Sequence, residues 1–455
     1  MSIRNKLNRS LGLENIADVP VADNDAFDDV GTVVDAVMPD GTPTPEADVV
    51  ELEIVYDEAF TSAEDLTELV EAAQGIESIR EAMHDAHQNG GMTQESARYA
   101  AVALEAIGQT YTASATDMGM VSLENFNDNR ANATSVSMEG VIDTLKSWWA
   151  TIVEKFKDLM KKIMKYYQET WSGAARLKSR AEGLKAKSRK VEGSIDTKTI
   201  EDKGLFNSLN IAGNVPTASN VVDGLKRAGV AAKTSITADT LESRLDDVFK
   251  LGKKDIASAV ESRSFAVDLV PYTSSGSATG VKIHDAAPIP SVNGIWGLPG
   301  NQAIIWGLTK KLSVGDVGST VKQLQSFQFR VITENAAFKA PSTAKKMDTL
   351  SLSDCENLCD IVIDNMANII RNKTDGSKAL KLADNVKKKG DEFIKDLDEE
   401  MDASKRTRAT SLMTGVTHIA GEVQQGNAAV LRYNMRTSKA ALSWVSRSMS
   451  NYKKK

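Results

Sequence analysis

Residues 140–171 read GVIDTLKSWWATIVEKFKDLMKKIMKYYQETW and carry the strongest helical pattern in the chain. Apolar side chains recur in this stretch in alternating steps of three and four residues, which is the spacing of a heptad seam. The seam comprises Ile142, Leu145, Trp149, Ile152, Phe156, Leu159, Ile163 and Tyr166. Because the lysines lie mostly off this seam, the stretch predicts a long amphipathic helix that packs against other helices.

A strongly basic segment follows directly on this helix. Seven of the fifteen residues from 176 to 190 are arginine or lysine. They are Arg176, Lys178, Arg180, Lys185, Lys187, Arg189 and Lys190. We interpret residues 140–192 as one region that consists of an amphipathic helix and a basic helix.

The chain before residue 140 differs in composition and pattern. Residues 1–50 are rich in aspartate and poor in aromatic side chains, so we expect them to be largely disordered. A capping-box pattern at Thr61–Glu64 opens an apolar stripe, and Asn89-Gly90-Gly91 ends it. A helical hairpin is therefore predicted over about 61–108. The small polar residues from Gly108 to Gly140 show no period and predict a linker.

Downstream of residue 192 the pattern is mixed and then helical again. Alternating apolar residues predict strands at 265–269 and 281–283, and Ala303–Leu308 predicts a short buried strand. Residues 294–300, which are rich in glycine, predict a loop or turn. The helical pattern resumes near Ser351.

The C-terminal region shows one apolar helix face and two longer helical patterns. Leu352, Cys355, Cys359, Val362, Met366 and Ile369 share a face behind a capping-box pattern formed by Ser353 and Glu356. Long helices are predicted over 376–402 and 408–448. The two cysteines lie one helical turn apart with no histidine or further cysteine nearby, so we interpret them as buried small apolar residues.

The fold class predicted from these patterns is mainly α, with long amphipathic helices in a bundle. We divide the chain into an acidic, partly disordered leader (1–139), the amphipathic and basic helices (140–192), a smaller mixed α/β region (193–348) and a C-terminal helical region (349–455). The term "body" is used below for residues 140–455.

Charge separates the leader from the body more sharply than the overall net charge of −7 suggests. The leader has 27 acidic and 6 basic residues, a net charge of −21, whereas the body has a net charge of +14. Such asymmetry is typical of an acidic interaction arm attached to a body that binds polyanions. An ordinary soluble basic surface is the alternative interpretation of the body.

The point where the charge changes sign coincides with a possible processing site. Ser137-Met138-Glu139 precedes Gly140 in the predicted linker, and Ser122-Leu123-Glu124 has the same form. Flexible chain with small side chains is where proteolysis concentrates. We therefore predict cleavage after Glu139, with Glu124 as an alternative position. A glutamate that is merely solvated in a linker remains the competing interpretation.

These features together resemble the internal head proteins of large tailed bacteriophages. The resemblance rests on the acidic leader, the Ser-x-Glu junction, the Trp- and Lys-rich helix from Ser147, and the basic segment from Ala174 to Lys185. It covers about residues 115–190 and the charge distribution. It implies a structural protein of the virion head interior, present in the host cytoplasm during assembly, whose leader is trimmed by a prohead protease after a small residue, any residue and a glutamate.

The resemblance also implies partners for the body. These are other head or core proteins and packaged DNA, bound without sequence preference through phosphate contacts. The seven basic residues of 176–190 are the possible nucleic-acid contacts. The alternative function is that of a membrane-active protein ejected from the virion, because helix 141–171 combines aromatic residues with flanking lysines that suit a membrane surface, although its net charge is only +2.

Catalytic and metal-binding patterns are lacking in the sequence. His84 and His87 lack the glutamate-bearing spacing of a helical zinc site, while His284 and His418 are isolated. We find no phosphate loop, nucleophile elbow or dinucleotide fingerprint. We therefore expect no cofactor, no metal and no enzymatic activity, leaving an activity hidden in 193–348 as an alternative.

Overall fold

Long helices dominate the computed structural model, as the apolar periodicity predicts. The structure describes residues 45–108, 114–191, 194–233, 276–278, 292–308, 327–334, 345–371, 385, 388 and 403–452. The helices are α1 (Pro45–Gln88), α2 (Gln94–Gly108), α3 (Asn125–Asp128), α4 (Arg130–Ser188), α5 (Lys203–Leu209), α6 (Ala218–Lys233), α7 (Leu352–Arg371) and α8 (Ala403–Ser450). The strands are β1 (Thr199–Glu201), β2 (Gly276–Ala278), β3 (Val292–Leu298), β4 (Gln302–Leu308), β5 (Phe327–Thr333) and β6 (Lys346–Asp348).

The fold class predicted from the sequence is confirmed: the protein is mainly α with a smaller mixed α/β middle. The predicted helix over 408–448 is α8, and the predicted strand Ala303–Leu308 is β4. The strands predicted at 265–269 and 281–283 lie outside the described residues. The helix predicted over 376–402 also lies outside them, apart from helical residues 385 and 388.

Helix α4 packs against α1, α7 and α8, and the predicted heptad seam is the face of α4 that is buried. The seam positions Leu145, Ile152, Phe156, Leu159, Ile163 and Tyr166 are all buried. Helix α8 runs parallel to α4, because the Tyr166 hydroxyl donates to the carbonyl of Ala428 and Gly173 meets the Met435 side chain seven residues further along both helices. The predicted helix–helix packing of the seam is confirmed.

Helix α1 runs antiparallel to α4 on another side. The Lys162 ammonium group donates to the Ser62 hydroxyl at one end of the contact. Near the other end, the backbone N–H of Met92, just past α1, donates to Thr134 Oγ1 at 2.9 Å. Helix α1 also packs against α8. The leader is therefore a member of the helix bundle over its described part.

The predicted hairpin is present, but its first helix begins earlier than expected. Helix α1 starts at Pro45 rather than at Thr61, so residues 45–50, which we expected to be disordered, are helical. Proline fits the first turn of a helix, where its missing N–H costs nothing, and this start prevails over the capping-box pattern at 61–64. Gly90 and Gly91, with φ of +92° and +95°, end the helix as predicted.

The expected linker over 108–140 is wrong for its last eleven residues, which form the first turns of α4. The Asn129 side chain accepts from the backbone N–H of Asn132 and caps the helix. Ala133 and Thr134 are buried beneath the hairpin. Their small size permits close packing without producing an apolar period in the sequence, which is why the sequence did not reveal this helix start.

The leader and the start of α4 share one apolar core, called here the junction core. It consists of Ala72, Ile76, Met83, Met92, Ala97, Leu104, Ile107, Ala115, Met118, Met120, Phe126, Ala133, Val141 and Leu145. Residues from both sides of the Glu139–Gly140 bond contribute to this core. The leader is thus packed onto the body rather than attached to it through a free segment.

A second core joins the distal half of α4 to helices α5 to α8. Cys355, Cys359, Val362 and the other predicted face residues of α7 lie in it and are buried, except for half-buried Leu352. The cap of α7 is Ser351, whose hydroxyl accepts from the backbone N–H of Asp354 at 3.1 Å. The cap predicted at Ser353 and Glu356 is therefore wrong by two residues.

The middle region contributes a four-stranded antiparallel sheet in the order β2-β3-β4-β5, and β1 pairs with β6. The loop predicted over 294–300 is wrong in large part, because β3 extends to Leu298. Only Pro299, Gly300 and Asn301 form the turn, and the last two have positive φ. Strand β5 packs on α8 so closely that a Cβ on Gly426 would lie 2.0 Å from the Phe329 ring.

Candidate processing site and basic face

The predicted cleavage site lies inside α4 rather than in extended chain. Ser137 is fully buried, and its hydroxyl accepts from the backbone N–H of Val121 at 3.2 Å. Met138 is half-buried, while the Glu139 side chain is exposed. The Glu139 carboxylate is accessible to a protease, but the peptide bond that follows it is held in a helix.

The chain segment 114–124 crosses α4 at this position. Gly119, with φ of +96°, lies against Gly140 so closely that a Cβ on Gly119 would lie 2.1 Å from the Gly140 carbonyl carbon. This contact and the Val121–Ser137 hydrogen bond fix segment 114–124 to the third turn of α4. Both contacts cover the bond predicted to be cut, and neither follows a pattern that is visible in the sequence.

The alternative site, Ser122-Leu123-Glu124, lies outside the regular helices. Ser122 and Glu124 are exposed, and half-buried Leu123 packs against the junction core. A third small-x-Glu triplet, Gly75–Glu77, is within α1, and Glu77 is buried in an ion pair with Arg80 at 2.7 Å. Of these described triplets, only Ser122–Glu124 lies outside a helix, and the bond after Glu124 leads directly into the short helix α3.

Part of the basic segment packs against the body itself. Lys185 forms an ion pair with Asp360 of α7, and Arg189 Nε lies 3.4 Å from Glu356 of the same helix. These two pairs link successive turns of α4 to successive turns of α7. The structure therefore gives two of the seven predicted nucleic-acid contacts, Lys185 and Arg189, an acidic partner on another helix.

The remaining basic residues lie toward solvent to different degrees. Lys178 lies 3.7 Å from Glu182 on the same helix, and Arg176 donates to the Ser172 hydroxyl at 2.9 Å. Arg180 is half-buried. Lys187 and Lys190, at the C-terminal end of α4, are exposed. The basic surface that is most accessible to a polyanion therefore lies at this end of α4.

The aromatic residues that a membrane-bound helix would need are mostly inside the bundle. Phe156 and Tyr166 are buried. The Tyr167 and Trp171 rings stack with centroids 6.2 Å apart and pack against the second core, which joins α4 to α5–α8. Among the described residues, no helix is both long and apolar enough to cross a membrane. Membrane contact by 141–171 would require this helix to leave the bundle.

A cluster of polar side chains surrounds the β3–β4 turn in the described part of the middle region. Arg227 donates to the Gly297 carbonyl at 2.6 Å, and the Gly297 N–H donates to Glu334 at 2.8 Å. The Tyr433 hydroxyl donates to the Pro299 carbonyl, and burial raises the pKa of Tyr433 well above its ordinary value. These side chains bind backbone groups, so their evident role is to hold the turn against α6 and α8.

The two cysteines have the environment of core residues. Burial raises the pKa of Cys355 to about 12 and that of Cys359 to about 11, so both thiols are neutral at physiological pH. The interpretation of the pair as buried apolar residues is confirmed. No group of His, Cys, Asp and Glu side chains suited to a metal ion occurs within the described residues.

A long helical axis, a packed acidic leader and a basic body are features of a structural protein. A family model described as phiKZ-like phage internal head proteins matches residues 45–447. The chain belongs to this family, and its place is the interior of the virion head. The resemblance drawn from the sequence is thereby confirmed. No curated protein and no solved structure matches the chain.

Proposed function

We propose that this internal head protein is made as a precursor whose acidic leader is removed after Glu139, and that the remaining basic body packs with DNA and other head proteins. A prohead protease is the enzyme that cuts it. The observation that carries the proposal is the charge division, −21 in the leader and +14 in the body, with its boundary at a Ser-x-Glu-Gly junction.

The leader can restrain the body before the head is filled. While both parts are joined, a large negative charge is held next to a positive one, which weakens association with nucleic acid. The packing of α1 along α4 supports this role, because it keeps the acidic leader against the body. Removal of the leader leaves a net positive body in contact with packaged DNA.

Binding to DNA through such a body is electrostatic. Each phosphate that a lysine or arginine neutralises releases condensed counterions, so log affinity falls with log salt by about 0.9 per contact. Exposed Lys187 and Lys190 support this mode, whereas Lys185 and Arg189 stabilise the packing of α4 on α7. Binding of this kind carries no sequence preference.

The deciding measurement is the N-terminal sequence and intact mass of the protein from mature phage particles. A chain that begins at Gly140 supports the proposal, and one that begins at Asn125 moves the cut to the alternative site. A chain that still begins at Met1 or Ser2 shows that the leader is permanent and overturns the precursor assignment.

Substitution of the two glutamates tests whether they define the cleavage sites. Glu139→Ala together with Glu124→Ala is expected to leave the precursor uncut during infection, because both junctions then lack the glutamate. The matched control is Glu182→Ala, an exposed glutamate in the same helix, which is expected to be processed normally. Normal processing of the double variant contradicts the assignment of both sites.

A further inference from the structure

Contacts between leader and body extend well beyond the cleavage site. Helix α1 runs along α4 from the Ser62–Lys162 hydrogen bond to the Met92–Thr134 hydrogen bond. Most of the length of α4 that α1 covers lies after Gly140 and so belongs to the body. Helix α1 also packs against α8, which lies entirely in the body.

The contact between α1 and the body is apolar, and part of it belongs to the junction core. Ile76 and Met83 of α1 share the junction core with Val141 and Leu145, which lie on the body side of the cut. Leu66 and Leu69 are also buried. Since Ile107, near the end of α2, lies against Gly75, these two leucines are beyond the reach of α2. They lie on the N-terminal part of α1, where Ser62 contacts Lys162 of α4.

We infer that the cut does not release the leader: after cleavage the leader stays bound as a non-covalent subunit in the groove between α4 and α8. Hydrolysis of one peptide bond removes the tether between the two parts, but none of the buried contacts between them. The cut interrupts α4 and lowers the effective concentration of the two parts, but the contacts of α1 with α8 and with α4 beyond Gly140 do not include the cut bond. The inference rests on the proposed function for the position of the cut.

This arrangement separates cleavage from exposure of the body. The leader keeps its charge of −21 next to the body until α1 leaves the groove, so a second event must detach it. Apolar contacts are insensitive to competition by DNA phosphates, unlike surface ion pairs. Detachment would also uncover the apolar face of α4, and large exposed apolar faces promote association between copies.

The experiment nicks the full chain without the phage protease. A thrombin recognition sequence is inserted between Ser122 and Leu123, in the exposed segment before α3. The N-terminal fragment then carries α1 and α2 of the leader, while residues 123–139 stay on the body fragment. The digested protein is analysed by native size exclusion with light scattering at about 10 μM and after dilution to about 0.1 μM, since mass action separates weakly held pairs. We expect both fragments in one peak at both concentrations. Separate peaks, or a self-associated body without leader, overturn the inference.

Variants of α1 show that the contact with the body holds the fragments together. Leu69→Asp in the same nicked chain is expected to release the leader, because it places a charge at a buried position of α1. Ser78→Asp introduces the same residue at an exposed position of α1 and is expected to leave the leader bound. Circular dichroism of each uncut variant establishes that it is folded before it is digested. Retention of the leader in nicked Leu69→Asp contradicts the assigned groove.

The two proposals fail in different ways. If particle-derived protein keeps its original N-terminus, the precursor assignment fails, while the nicked-chain result still reports whether α1 holds without a tether. If the fragments separate although particle-derived protein begins at Gly140, the precursor assignment stands and retention of the leader fails.

Discussion

Gly119 and Gly140 contact each other backbone to backbone: a Cβ on Gly140 would lie 2.6 Å from the Gly119 Cα. The contact joins the segment that precedes α3 to the third turn of α4, directly at the proposed cleavage bond. Backbone atoms cannot move aside as a flexible side chain can. The close approach therefore requires glycine at both positions and fixes how the leader sits on the body.

We predict that Gly140→Ala destabilises the protein although alanine favours helix. The added methyl group collides with the Gly119 backbone, and overpacking of this kind costs about 1–3 kcal/mol. Gly183→Ala is the matched control, because a Cβ there meets nothing within 4 Å in the same helix. That variant should gain about 0.5–1 kcal/mol from helix propensity. Urea denaturation of both variants measures the difference, and equal effects would contradict the contact.

We predict that a glutamate-specific endoprotease cuts the native precursor after Glu124 before it cuts after Glu139. Protease access depends on local backbone hydrogen bonding, and Glu139 lies in a helix whereas Glu124 does not. Intact-mass measurements over the digestion give the order of the two cuts. Gly140→Ala, which weakens the contact at this turn, should raise the rate at Glu139 more than the rate at Glu124. Cleavage at Glu139 first would show that the helix start is open in solution.

We predict that Lys187 and Lys190 contribute to DNA binding and that Lys185 and Arg189 contribute to stability. Replacing Lys187 and Lys190 by Gln in the processed protein should lower the slope of log affinity against log salt by about 0.9 for each phosphate that is no longer neutralised. Replacing Lys185 and Arg189 by Gln should change this slope less. Because their pairs with Asp360 and Glu356 are partly exposed, removing each pair should cost at most about 1 kcal/mol. Equal effects of the two double variants on the slope would assign all four residues to DNA.

We predict a stability loss at alkaline pH that originates from Cys355 and Cys359. Their pKa values rise on folding, from 9.0 to about 12 and to about 11. The unfolded thiols therefore ionise first, and stability falls as pH rises from about 9 through the folded values. The urea midpoint of Cys355→Ala/Cys359→Ala should depend less on pH between 7 and about 10.5 than the wild-type midpoint does. If the urea midpoints of both proteins depend on pH in the same way, groups other than the two cysteines cause the loss of stability at alkaline pH.

The sequence by itself determined the main helices and their buried faces. The seam from Leu145 to Tyr166 and the α7 face from Cys355 to Ile369 could be predicted from the sequence. A helix that buries one side has apolar residues on that side, and they recur in the sequence about every 3.6 residues. The charge boundary and the Ser-x-Glu junctions at 124 and 139 are likewise properties of composition and order. These local features also carried the resemblance to the phage head family.

Only the tertiary structure decided the state of the junction between leader and body. Residues 130–140 are helical because Met92 bonds to Thr134 and Gly119 meets Gly140, and both partners are distant in sequence. Lys185 likewise forms its ion pair with Asp360, which lies 175 residues further along the chain. Small side chains and charges leave no periodic signal, since their roles depend on which distant surface the fold brings against them.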